Sequence, residues 1–108
     1  MRKFASIKDD KEFARLYKEA RKWYCEVGVI FYQSSEENKI AVIASKKVGK
    51  AVARNRAKRL LRVVFFQMQD RLKSGKYILV AKSELLSASF LKLQKNLEWG
   101  FKKLECLK

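Results

Sequence analysis

Histidine and proline are absent from this 108-residue sequence, cysteine occurs twice and glycine four times. Without histidine, every arrangement that relies on imidazole is excluded, whether a Ser-His or Cys-His nucleophile pair or a mixed Cys and His zinc site. Cys25 and Cys106 stand far apart with no metal-ligand spacing, the pattern of two partly buried thiols in a reducing compartment. Lacking proline, the composition suggests no stiff linker. No apolar run reaches membrane-spanning length, and Met1 to Ala20 has no basic, apolar and small-residue order of a secretory signal, so a cytoplasmic location is the expectation. Carboxylates are scarce: 11 Asp and Glu stand against 26 Lys and Arg, and none falls between Asn38 and Gln69.

What is present follows from that imbalance. The formal net charge of +15 asks for an anionic partner, nucleic acid or an anionic membrane surface, and argues against acidic metabolites as the main ligand. With 48% hydrophobic residues the chain is folded and no disordered basic arm, and its length suits a single domain spanning 1–108 with one modest core. The positive charge is concentrated from Ser45 to Arg62, where Lys46, Lys47, Lys50, Arg54, Arg56, Lys58, Arg59 and Arg62 occur among Gly, Ala, Val and Leu. A solvated helix face usually mixes both signs; this one carries a single sign.

Asp9 with Glu12 three residues on has the form of a capping box, and Phe13, Leu16, Tyr17 and Ala20 continue at helical spacing, predicting an amphipathic helix over about Asp10 to Ala20. Val27 to Gln33 and Lys39 to Ser45 read as a hairpin around the polar turn Ser34 to Asn38, with a short strand over Lys22 to Cys25 before it. Gly49 then breaks the pattern before a helix from about Val52 to Leu72. That helix buries Ala57, Leu61, Val64, Met68 and Leu72 and presents Asn55, Lys58, Arg59 and Arg62 opposite. Ser74-Gly75 ends it, Tyr77 to Ala81 is an apolar strand, and Ser89 caps a last helix bearing Phe90, Leu93, Leu97, Phe101 and Leu104.

Arg54 and Arg56 at the start of the basic helix can each hold a phosphate through a guanidinium fork, and Asn55 offers a donor and an acceptor to a base edge or ribose hydroxyl. Each residue that displaces a counterion adds about 0.7 to 0.9 to the slope of log affinity against log salt. A self-sufficient nuclease commonly clusters Asp and Glu around divalent metal. Here Asp9, Asp10 and Glu12 look like helix-start residues, Glu36-Glu37 lies in a turn, and no acidic pair has a convincing second partner.

From Ser45 to Phe65 the chain resembles the protein subunit of bacterial ribonuclease P. The match lies in a Lys-Lys-x-Gly turn followed by Ala-Val-x-Arg-Asn-Arg-x-Lys-Arg-x-x-Arg: Lys46, Lys47, Gly49, Ala51, Val52, Arg54, Asn55, Arg56, Lys58, Arg59 and Arg62. The likeness extends to Phe13 and Tyr17, to Phe31-Tyr32 and to Tyr77 through Lys82. The family pattern differs at three positions: a glycine after the first helix is Ala20 or its neighbour, an arginine opening the strand before the motif is Lys39, and an acidic residue after the last motif arginine is Val63.

The resemblance implies an α+β fold. It is a two-layer α/β sandwich in the order helix, strands, helix, strand, helix, with a mixed four-stranded sheet and an unusual left-handed strand-helix-strand crossover. General rules alone favour a right-handed one in about 98% of cases. It also implies a chain with no catalytic or metal-binding residue of its own. Such a chain docks on the catalytic ribonuclease P RNA through Lys46, Lys47, Lys50, Arg54, Asn55, Arg56, Lys58, Arg59 and Arg62. It holds the 5′ leader of precursor tRNA in a cleft of Phe13, Tyr17 and Phe31, while RNA-bound Mg2+ performs the hydrolysis. No membrane or DNA partner is expected. Strand register decides whether Phe31 or Tyr32 faces the cleft, and Phe13 and Tyr17 at helical spacing also suit a core. Trp23 and Trp99 read as core or partner-facing anchors. Two further readings remain at this point: a different basic RNA-binding protein, such as a ribosome-associated module, and an independent metal-dependent nuclease.

Overall fold

The structure is a computed structural model that describes residues 2–108. Its elements are β1 (Ala5–Ser6), α1 (Asp10–Glu19), β2 (Arg21–Tyr24), β3 (Gly28–Ser34), β4 (Lys39–Ala44), α2 (Ala51–Met68), β5 (Gly75–Ala81) and α3 (Phe90–Lys103), with 3-10 turns at Gln69–Arg71 and Ser83–Ser87. The expected order of helices and strands is borne out. The sheet has five strands where four were expected, because β1 adds a two-residue edge that is exposed on both faces and so leaves no alternating pattern in the sequence.

Strand order is β1-β4-β5-β3-β2, with β1, β4 and β5 parallel, β3 antiparallel to β5 and β2 antiparallel to β3. The handedness of the crossover through α2 follows from chirality. The carbonyls of Asn38 and Ile40 accept from Ala5 N–H at 2.9 Å and Ile7 N–H at 3.1 Å, so they point to β1, while the Ile40 side chain packs with α2. In an upward strand of L-residues, a side chain facing the viewer has its carbonyl on the right. β1 therefore lies right of β4 and β5 left of it. The chain passing in front through α2 moves leftward, which makes the crossover left-handed.

Alternation along the strands divides the core in two. One face meets α2 and α3 through Ile30, Tyr32, Ile40, Tyr77 and Leu79, joined by Leu61, Val64, Phe65, Leu93, Leu97 and Phe101. At its centre Tyr77 meets Phe4, Phe65, Phe101 and Tyr32 at ring-centroid distances of 5.6, 5.3, 5.8 and 4.8 Å. The other face meets α1, where Leu16 and Ala20 pack on Phe31 and Ile78. Gly100 permits the close approach of α3 to the sheet, since a Cβ there would meet Ile30 Cδ1 at 2.5 Å and Trp23 Cδ1 at 3.2 Å.

Several local expectations are corrected. Asp9 does cap α1, accepting from Lys11 N–H at 3.0 Å, but Glu12 does not complete a capping box; it turns to Lys39 and Lys76. The basic helix ends as an α-helix at Met68 and tightens into the 3-10 turn before Leu72. There Gln69 Oε1 accepts from Lys3 N–H at 2.7 Å, and Lys3 pairs with Asp70 at 2.6 Å. Leu72 stays buried as expected, although it is extended and bridges to Leu107. Ala20 ends α1 in extended backbone at φ −70°, so this turn needs no glycine.

Candidate nucleic-acid interface

The basic segment begins as a turn. Val48 N–H donates to Ser45 C=O at 3.0 Å and Gly49 N–H to Lys46 C=O at 3.2 Å, with Lys47 N–H on Ser45 Oγ at 3.3 Å. Gly49 then adopts φ +144°, in a region open mainly to glycine, and a Cβ there would lie 2.9 Å from Ala53 Cβ. This places Lys46, Lys47 and Lys50 on the exposed approach to α2. The helix starts at Lys50 with no side-chain cap and no acid in its first turn, so its free N–H groups and dipole add to the positive field.

Along α2, Ala57, Leu61, Val64, Phe65 and Met68 are buried, while Asn55, Arg56, Arg59 and Arg62 are exposed. Arg54 and Lys58, one turn apart, are half-buried on the flank. The Arg-Asn-Arg triplet is thus split, and Arg56 joins the outward face that Lys58 was expected to share. Every ion pair among the described residues lies elsewhere, joining Lys3, Arg21, Lys39, Arg71, Lys76 and Lys92 to carboxylates outside the motif. The motif's cations are left for solvent or a partner.

On the opposite sheet face, α1 brings the three aromatic candidates together. Phe13 stacks with Tyr17 at 6.3 Å, and Tyr17 stands edge-on to Phe31 at 5.0 Å. Register settles the alternative on β3: Phe31 lies on the α1 face, whereas Tyr32 turns into the main core and donates its hydroxyl to Ser74 C=O at 3.0 Å. Phe31 is nearly covered, Phe13 half-buried and Tyr17 37% exposed. With only ten residues, α1 leaves Val29, Ala41, Ile43 and Val80 half-buried, so the sheet face beside the rings is partly open. Lys22 Nζ lies 5.7 Å from the Phe31 ring centre, a cation at the cleft that its sequence position did not reveal.

Lys39 and Lys76 meet Glu12 at 3.2 and 2.6 Å, and Glu37 joins them at 3.5 and 3.9 Å. Hydrogen bonding from Lys76, against burial that opposes it and aided by Lys39, holds the Glu12 carboxyl below its usual range. Its carboxylate raises the Lys39 ammonium in turn. Two carboxylates already neutralised by two ammonium groups do not fit a magnesium site, and the described residues hold no group of three or more Cys, Asp or Glu placed to bind metal. Burial pushes the Cys106 thiol up to about 12 and raises Cys25 as well, so both stay protonated near neutral pH. Trp23 packs on the main core, while Trp99 is exposed on α3 beneath Lys103 Nζ at 4.5 Å.

These features define a small α+β domain with one unpaired basic helix face and one partly open aromatic sheet face. A family model described as Ribonuclease P matches residues 1–105. A ribonuclease P protein component from a Nitratiruptor species is 40% identical over 97 residues, covering 90% of this chain and 89% of the relative. That of Coprothermobacter proteolyticus is 38% identical over 87 residues, covering 81% and 73%. The fold matches the RNase P protein of Staphylococcus aureus with a TM-score of 0.84 at 25% identity, over 95% of this chain and 97% of that one. The RNase P protein of Thermotoga maritima shares the fold, with a TM-score of 0.76 at 19% identity over 86% and 91%. The chain belongs to the ribonuclease P protein family. No described helix is long and apolar enough to cross a membrane.

Proposed function

We propose that this chain is the protein subunit of a ribonuclease P holoenzyme, in which it binds the catalytic RNA and the 5′ leader of precursor tRNA and assists removal of that leader. The observation that carries the reading is the run from Lys46 to Arg62: eight cations without a carboxylate partner among the described residues, with Asn55, Arg56, Arg59 and Arg62 on one exposed helix face. A polyanion gains most by displacing counterions against such a face. The guanidinium forks of Arg56 and Arg59 suit phosphates, and Asn55 adds a two-way hydrogen-bonding group.

Phe13, Tyr17 and Phe31 receive the leader. Tyr17, 37% exposed, offers ring surface on which any base can stack, which suits a strand whose sequence varies, and Lys22 neutralises the strand's phosphates beside it. Magnesium bound by the RNA and the substrate would supply an activated water and charge neutralisation at the scissile phosphate, and no cluster of this chain's described residues is placed to hold it. This chain positions the strand and screens the charge between substrate and RNA, and the complex works in the cytoplasm, where tRNA is matured. Reconstitution tests the reading. Protein plus ribonuclease P RNA should cleave precursor tRNA at the mature 5′ end and retain leader-bearing substrate better than RNA alone. The RNA-free chain should not cleave at any magnesium concentration, and site-specific cleavage by protein alone would overturn the assignment of chemistry to the RNA.

A further inference from the structure

Arg59, Arg62, Val63 and Phe66 follow one another at helical spacing on α2 and face the N-terminal segment across a groove whose other wall is Arg2 and Ser6. The groove has an apolar floor and a cationic rim. Phe66 is half-buried and Val63 41% exposed, and the Arg2 guanidinium lies over the Phe66 ring at 4.5 Å. Among the described residues none of the three arginines forms an ion pair. Ser6 belongs to the sheet edge. Since Ala5 N–H and Ile7 N–H point to β4, alternation turns the Ser6 N–H and C=O away from it, toward the open side. The wall therefore offers a backbone donor, a backbone acceptor and a hydroxyl beside a stacking surface.

We infer that this groove is a nucleotide subsite that takes a single unpaired nucleotide of the catalytic RNA. The base takes the place of the Arg2 guanidinium over the Phe66 ring, with Val63 beside it and its edge toward Ser6, and its flanking phosphates lie on Arg2, Arg59 and Arg62. An unpaired nucleotide fits because an apolar floor between guanidinium groups matches a flat base between phosphates, whereas a duplex presents no free base face. Continuity with the exposed face of Asn55 and Arg56 assigns the strand to the catalytic RNA that the proposed function places there. The inference rests on that reading and adds to it a contact made by stacking as well as by charge.

Two measurements on the full-length chain and ribonuclease P RNA test it. Phe66→Leu keeps an apolar side chain but removes the ring; affinity for the RNA should fall roughly five- to a hundred-fold, the range for loss of one base–aromatic stack, with the salt slope unchanged. In a Cys25→Ser background, Val63→Cys bearing a short thiol-linked photocrosslinker should mark one or a few unpaired nucleotides of the RNA in the complex. This second arm keeps Phe66 and stands even if Phe66→Leu destabilises the fold. Affinity within twofold of wild type in folded Phe66→Leu would overturn the subsite, as would crosslinks confined to duplex or to the leader of bound precursor tRNA. Failure of the unmodified chain to bind ribonuclease P RNA would overturn the functional reading itself; binding without either signature would overturn the subsite alone.

Discussion

The Tyr17 ring meets Phe31 edge-on, with centroids 5.0 Å apart and planes at 85°, so one aromatic of α1 and one of β3 form a corner that is closed at Phe31 and open at Tyr17. That asymmetry separates their roles. Phe31 supports the corner from within the sheet, and Tyr17 presents a ring to whatever enters the cleft.

Tyr17→Ala should weaken holoenzyme binding of precursor tRNA by roughly 1–3 kcal/mol, the worth of a base–aromatic stack, and leave mature tRNA binding unchanged. The free protein should lose about 1.5–2.5 kcal/mol, since a ring that is 37% exposed gives up only part of a buried aromatic's area, together with its edge-on contact with Phe31. Affinities for substrates with and without a leader, measured beside thermal unfolding, check both. A stability loss of about 3–5 kcal/mol, typical of deleting a buried aromatic, with leader discrimination intact would assign Tyr17 to the core.

Arg56 is exposed and forms no ion pair among the described residues, so Arg56→Ala should leave folding stability within about 0.5 kcal/mol of wild type. Its effect should fall on RNA binding: lower affinity and a salt slope shallower by about one counterion. Titrations of ribonuclease P RNA at several salt concentrations test this, and an unchanged slope would make Arg56 a solvated bystander.

The Glu12 carboxyl is held below its ordinary value of 4.5, so its contribution to stability is complete above that pH and fades as pH falls through the depressed native value. Glu12→Gln should cost roughly 1 kcal/mol near neutrality, a modest figure suited to a pair that water still reaches. The gap between wild type and variant should stay constant from pH 7 to about 5 and close in acid. Denaturant unfolding across that range measures it; a gap that widens in acid would contradict the sign.

Gly49→Ala forces a side chain onto φ +144° and toward Ala53 Cβ, so it should destabilise the protein by roughly 1–3 kcal/mol. Hydrogen exchange should quicken first at the Arg54 amide, which closes the first turn of α2 on Lys50 C=O at 2.9 Å. Denaturant unfolding and exchange together test this, and wild-type stability would mean that the turn relaxes without cost.

The sequence by itself determined the three helices and the strands β2 to β5, because burial on one side imprints periods of 3.6 and 2 on the apolar residues, as at Ala57, Leu61 and Val64. It also determined the one-signed charge of the interface, which needs no folding to be read. Tertiary structure decided what depends on partners distant in sequence. Glu12, in a capping-box position, is drawn to Lys39 and Lys76 because β4 and β5 bring two ammonium groups to it. Phe31 and Tyr32 are chemically near-equivalent neighbours, and only pairing with Ile78 and Tyr77 sends one to the cleft and the other to the core. The edge strand Ala5–Ser6 carries no periodic signal, yet by pairing with β4 it turns Ser6 outward and brings Arg2 over Phe66. Short exposed segments are ordered by their neighbours' hydrogen bonds and rings, and those neighbours are assembled only when the chain folds.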